Sequence, residues 1–269
     1  MSDVKITILA EDTAGPRGTI GEHGLAVWLE KDGRVALFDT GQGMALRRNA
    51  AVLELHLSEI EAIIISHGHY DHTGGLIEVM ASSAAAPVFL HPDALLPKYA
   101  ESNREIGIAH LSETELCHAI VTREPSQVVP GVWTTGEIPR VTDYEDTGGR
   151  FYRDSSCTTP DPLLDDQAVF LDSPRGTIVV LGCAHAGVIN TLERVRQLSG
   201  VEKIHAVLGG MHLLNASESR IEKTLDALEG LGVEVFCPCH CTGTAALHAL
   251  SRRFGDRVQE CKTGSSFAF

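Results

Sequence analysis

Six consecutive residues, His67-Gly68-His69-Tyr70-Asp71-His72, restrict this chain more than any other segment. They follow the apolar run Ala62-Ile63-Ile64-Ile65-Ser66 and precede Thr73-Gly74-Gly75. A β-branched run closed by small residues predicts a buried strand that enters a tight loop. Three imidazoles and a carboxylate on so short a loop cannot all converge on one tetrahedral ion without strain. Shared between two ions they can, and imidazole with carboxylate suits zinc, iron or manganese. A solvated polar turn requires no such set of side chains.

Composition narrows the setting. The chain has 269 residues, 43 % of them hydrophobic, enough for one large domain from 1 to 269. Lys and Arg total 22 against 36 Asp and Glu, a formal charge of −14. Such a surface disfavours long nucleic acid as a substrate, while a cationic centre can still attract a small anion. No apolar run approaches the roughly 20 residues of a membrane span. Met1-Ser2-Asp3-Val4-Lys5 leads directly into a strand pattern without a secretory layout, so the expectation is cytoplasmic. Seven Cys in such a chain read as free thiols rather than a disulfide framework.

Periodicity predicts strands at Lys5 to Glu11, Leu25 to Glu30, Val35 to Thr40, Ala62 to Ser66 and Pro87 to His91, with helices at Met44 to Leu55 and Gly74 to Ala85. The Gly/Thr/Pro-rich loop from Glu11 to Gly21 is a candidate pocket border. Residues 93–160 have weak periodicity and are expected to form an insertion or cap, with Tyr99 to Thr114 helix or loop, a strand at Val132 to Gly136 and a mobile loop from Val141 to Pro162. Ala168 to Leu171 and Thr177 to Leu181 flank Ser173-Pro174-Arg175-Gly176 as a hairpin. Helices at Ala186 to Leu198, Ser217 to Leu231 (Ser217 as N-cap) and Thr244 to Phe254 alternate with strands at Ile204 to Leu208, Val233 to Cys237 and Arg257 to Cys261, with a last strand at Ser266 to Phe269. Pattern alone supports mixed α and β.

Three later histidines each follow one of these strands: His185, His212 and His240. Strand ends converge on one rim of a sheet, where functional side chains tend to gather. Cys237-Pro238-Cys239-His240-Cys241 also suggests a structural zinc knot, although no second C-x2-C pair exists. Strand alternation would turn Cys237, Cys239 and Cys241 to one face and His240 to the other.

The hexapeptide resembles the signature of the metallo-β-lactamase superfamily. Phe38-Asp39-Thr40-Gly41, Gly182-Cys183-Ala184-His185-Ala186-Gly187, Gly209-Gly210-Met211-His212-Leu213 and His240-Cys241-Thr242-Gly243 fit it in order. Together they look like the branch of dihydropterin synthase-like proteins of the methanopterin pathway. The resemblance implies a four-layer αββα sandwich of mixed α and β and two divalent ions, zinc first, with iron or manganese as alternatives. It assigns one ion to His67, His69 and His185, and the other to Asp71, His72 and His240. Asp39 is expected to support a ligating imidazole. His212 either ligates or contacts substrate.

Two departures stand out. Many members carry a bridging Asp where this chain has Cys183, which is a ligand or a buried thiol. Asp165, Asp166 and Gln167 lie where a central His is expected. The implied function is metal-dependent hydrolysis of a small ester, phosphodiester or related anionic substrate by metal-activated water. The alternatives are a dihydropterin synthase-like condensation and a non-catalytic metal sensor. Arg150 and Arg153 are expected chiefly in surface salt bridges.

Overall fold

The computed structural model describes residues 4–109, 111–112, 116–201 and 203–269. The first strands are β1 (Val4–Ala10), β2 (Ala26–Lys31), β3 (Arg34–Phe38), β4 (Ala62–Ile64), β5 (Val88–Leu90), β6 (Tyr99–Ala100) and β7 (Ala119–Val121). Then come β8 (Ser126–Val129), β9 (Val132–Thr134), β10 (Phe151–Tyr152), β11 (Val169–Ser173), β12 (Gly176–Leu181), β13 (Ile204–Gly210), β14 (Val235–Cys239) and β15 (Ser266–Ala268). The helices are α1 (Leu46–Val52), α2 (Tyr70–Thr73), α3 (Leu76–Ser82), α4 (Val188–Ser199), α5 (Glu218–Gly230) and α6 (Thr244–Phe254). One sheet has the order β15-β1-β2-β3-β4-β5-β7, the other β14-β13-β12-β11-β9-β8, and β6 with β10 forms a separate ribbon.

Most of these strands are apolar at consecutive positions because each sheet is covered on both faces. Alternation then sorts the side chains. Val27 and Leu29 of β2, Ala36 and Phe38 of β3, and Ala62 and Ile64 of β4 face inward, where they meet Ile178, Val180, Ala206 and Leu208 of the other sheet. Trp28, Leu37 and Ile63 face outward against Leu46, Leu76 and Val79 of α1 and α3. On the far side, Val179, Leu181 and Val207 receive Val188, Leu192 and Val195 of α4 and Ile221, Leu225 and Leu228 of α5. Spacings of three and four place each helical triplet on one face. The layers therefore run helix, sheet, sheet, helix, a mixed α/β sandwich.

Ser217 caps α5, its side chain accepting from the Arg220 N–H at 3.2 Å, and β11 and β12 close the expected hairpin with Ser173 opposite Gly176. The strand expected at Arg257 to Cys261 is instead a 3-10 turn, Gly255–Arg257, followed by a single bridge from Val258 to Phe236. Exposed Gln259 and Glu260 offer that segment no apolar face to bury. Between 99 and 114 lie β6, bends and isolated bridges, with 110, 113 and 114 outside the described residues. Within 93–160, β7 forms an edge of the first sheet, and β8 and β9 lie at an edge of the second. Among the described residues no helix is long and apolar enough to cross a membrane.

Candidate metal centre

β3 and β4 run parallel, as do β12, β13 and β14. Their carboxyl ends open on one mouth between the sheets. β3 delivers Asp39, β4 delivers Ser66 and the hexapeptide, and the other sheet delivers Cys183, His212 and His240. Asp39, Ala184, His212 and His240 all have left-handed φ, between 44° and 60°. Non-glycine residues rarely hold that conformation, and such strain gathers at functional sites. Gly182 is required for the close approach of the two sheets, because a Cβ there would sit 2.3 Å from Ser66 Oγ.

The orientation of three imidazoles is fixed by what lies behind them. His72 Nδ1 donates to Asp39 Oδ2 at 2.6 Å, His185 Nδ1 to the Thr147 carbonyl at 2.8 Å, and His240 Nδ1 to Asp12 Oδ1 at 2.8 Å. A carbonyl or carboxylate can only accept, so each ring keeps a proton on Nδ1 and turns Nε2 forward, with a bare lone pair there whenever the ring is neutral. The Nε2 atoms of His185 and His240, and that of His69, are buried without a hydrogen-bond partner. Unpartnered lone pairs in a buried position fit a bound cation.

These donors form groups that can hold a metal ion. Donor atoms of His67, Cys183 and His185 lie within 4.8 Å of one another, and so do those of His72, Cys183 and His240. His69 Nδ1 is 2.9 Å from His67 Nε2. Asp71 Oδ2 is 3.8 Å from His72 Nε2 and 3.7 Å from His240 Nε2. All six expected donors thus gather at one mouth, His67, His69 and His185 to one side, and Asp71, His72 and His240 to the other. His212 packs against His185, tilted 45° with ring centroids 4.2 Å apart, and joins Cys183 and Cys241 in a third group. Among the described residues Cys237 and Cys239 join no such group. They pack in the inter-sheet core, so the knot is not assembled. Left-handed His240 breaks the strand alternation and swings Cys241 toward Cys183 instead of onto the face of Cys237.

Asp39 is fully buried and accepts three hydrogen bonds, from Ser66 N, Ser66 Oγ and His72 Nδ1. Asn tolerates the same left-handed backbone but has one acceptor oxygen, so Asp39→Asn leaves a donor without its partner. The expected result is a loss of about 10–100-fold in zinc affinity, read by competition with a chromogenic chelator. Unchanged affinity would show that Asp39 serves only the backbone of Ser66.

The missing central histidine has a structural substitute of another kind. Asp165 Oδ2 accepts from Gly68 N at 2.8 Å, and Gln167 donates its backbone N–H to Ser66 O and its amide to Ile65 O, both at 2.9 Å. Asp166 Oδ2 accepts from Ala186 N at 2.7 Å. The triplet Asp165-Asp166-Gln167 therefore ties together the backbones of the two histidine loops. Behind it, fully buried Lys98 donates to Asp165 at 2.8 Å and to Asp161 at 2.9 Å.

Burial keeps three of these rings neutral. It holds His67 and His185 well below the usual imidazole value and takes His69 down to about 3, with neighbouring rings adding to the effect on His67 and His185. Burial also disfavours charge on His72, but Asp39 and Asp71 outweigh it and raise that ring to about 9. The mouth opens into a cleft of about 230 Å³ lined by Tyr70, Arg104, Phe151 and Leu214 besides the donors. Phe151 of the ribbon lies with its ring centroid 5.0 Å from His69 and 5.2 Å from His185. Asp12 lies in the loop expected to border the pocket, and His23 lies just beyond it, its Nε2 3.4 Å from Asp71. His23 and Phe151 carried no motif that would have marked them in the sequence. Arg150 and Arg153 are paired with Glu101 and with Asp93 and Asp161.

The description Metallo-beta-lactamase superfamily matches residues 20–240 of this chain. The chain belongs to that superfamily. Within the metallo-β-lactamase superfamily it is 30 % identical over 287 residues to the 7,8-dihydropterin-6-methyl-4-(β-D-ribofuranosyl)-aminobenzene-5'-phosphate synthase of Methanocaldococcus jannaschii, covering 100 % of this chain and 98 % of that protein. A ribonuclease Z of Salinibacter ruber is 28 % identical over 180 residues, covering 64 % of this chain and 54 % of that enzyme. A crystal structure described as a metal-dependent hydrolase of the β-lactamase superfamily superposes with a TM-score of 0.82 at 30 % identity, covering 98 % of both chains.

Proposed function

We propose that this protein is a dinuclear metal-dependent hydrolase of small ester, phosphodiester or related anionic substrates. His67, His69 and His185 would hold one ion, and Asp71, His72 and His240 the other. The observation that carries this reading is the set of buried, unpartnered Nε2 atoms on rings whose Nδ1 protons are fixed from behind. Mixed nitrogen and oxygen donors suit zinc, with iron or manganese next. When bound, two divalent ions supply Lewis acidity and an activated water.

The chain's own residues do the rest. Asp39 holds the His72 ring in one tautomer and orientation. His212, with Nδ1 buried and unpartnered beside the donors, is placed to donate a hydrogen bond to charge developing on the substrate. Phe151 and Leu214 give the cleft apolar wall, and Arg104, 5.8 Å from the Tyr70 ring centroid, offers a cation at its rim. The charge of −14 supports a small substrate rather than long nucleic acid.

Turnover of bis-p-nitrophenyl phosphate by zinc-loaded and chelator-stripped protein tests the reading. Two bound equivalents and activity that disappears on stripping are expected. Tight metal binding without turnover on ester and phosphodiester panels would favour a sensor. A second chemistry, the condensation named for the M. jannaschii relative, is supported by identity along the whole chain. Its sign would be pyrophosphate release from a pterin diphosphate only when an arylamine acceptor is present.

A further inference from the structure

We propose that the Cys183 thiolate bridges the two metal ions, an assignment that rests on the dinuclear reading above. Cys183 is 3 % exposed and lies directly after β12. Its Sγ is shared by the two donor groups, lying within 4.8 Å of both donors in the His67 and His185 pair and of both in the His72 and His240 pair. It is 3.1 Å from His72 Nε2. The rings of His67 and His72 are themselves only 4.4 Å apart between centroids. An atom that is near neighbour to both pairs lies between them.

The surroundings distinguish this thiol from a packing cysteine. Cys237 and Cys239 sit among aliphatic side chains of the inter-sheet core. Cys183 meets imidazoles and the Cys241 thiol. Among the described residues Cys241 joins a single group, with His212 and Cys183, so it has no comparable claim to two ions. A thiolate has several lone pairs and is a soft donor, so one sulfur can bind two borderline divalent ions at once. Its negative charge would also help neutralise two dications. As the two sulfur–metal bonds form, the S–H bond breaks and its proton leaves to solvent.

Cadmium and cobalt read the sulfur directly. The full chain, stripped of metal under anaerobic conditions, is loaded with two equivalents of cadmium-113 for NMR or of cobalt(II) for absorption. In wild type both cadmium resonances are expected to be displaced in the direction of sulfur ligation, and cobalt should give a thiolate charge-transfer band in the near ultraviolet. Cys183→Ser should lose that band and bind zinc at least tenfold more weakly at both sites, Cys183→Asp should lose the band but retain two equivalents, and Cys241→Ala should keep the band. Two bound ions in wild type with no band, or with only one displaced cadmium resonance, would overturn the bridge and leave the dinuclear reading standing. No bound ion in wild type would overturn the dinuclear reading itself. The wild-type spectra carry this test even if a variant fails to fold.

Discussion

Replacing His69 by alanine is expected to lower kcat/KM for bis-p-nitrophenyl phosphate by about three orders of magnitude, since a lost Lewis-acid contribution of several kcal/mol is a factor of ten for each ~1.4. His69 contributes one nitrogen 2.9 Å from His67 Nε2, while its other nitrogen is buried without a partner. Alanine removes the donor and opens the floor beneath Phe151, which rests against the ring. Metal content should fall from two equivalents toward one while the melting temperature of the stripped protein changes little. Equal turnover by the variant and wild type would discard the catalytic reading.

Lys98→Met should destabilise the fold by about 3–5 kcal/mol, because it takes the cation from buried Asp165 and leaves Asp161 with Arg153 alone. Lys98 and Asp161 are both fully buried as side chains, and Asp165 holds Gly68 of the metal loop. Burial alone would raise Asp161. Lys98 and the Leu163 N–H outweigh it and hold the carboxyl below its ordinary value. A carboxyl depressed in the folded state adds stability above its unfolded pKa of about 3.9, and that contribution is lost as pH falls through the folded value. Without Lys98 the depression of Asp161 shrinks, because only Arg153 and the Leu163 N–H are left to oppose burial. The stability gap between wild type and variant should therefore narrow as pH falls below about 4 toward the folded value. Urea unfolding across that range measures it, and a constant gap would mean that Lys98 acts only through packing.

Much of the order of strands and helices was legible because they carry strong periodic signals, while the sandwich itself came from the family resemblance. The histidines that gather at the mouth could be picked out because they follow apolar strands and sit among small residues. β7 and β8 were missed, being three and four residues long and only partly buried. The strand expected at Arg257 to Cys261 failed for want of a second apolar partner beyond Val258. Asp165, Asp166 and Gln167 were noticed only for the histidine they are not. Their role lies in hydrogen bonds to backbone atoms about 100 and 20 residues away, which no spacing rule encodes. His23 was likewise hidden, since only the fold of the loop at the mouth between the sheets brings it to Asp12 and Asp71.

The donors come from opposite sheets, His67 to His72 from one and Cys183, His185 and His240 from the other. An ion seated there would act as a rivet through both halves of the molecule. A growing polypeptide exposes the hexapeptide long before residue 240 has been made, so loading must be among the last events of maturation. Binding energy then becomes folding energy, about 4 kcal/mol when free metal exceeds its dissociation constant a thousandfold. Scarcity of the ion would thus thin the population of intact molecules as well as idle the survivors.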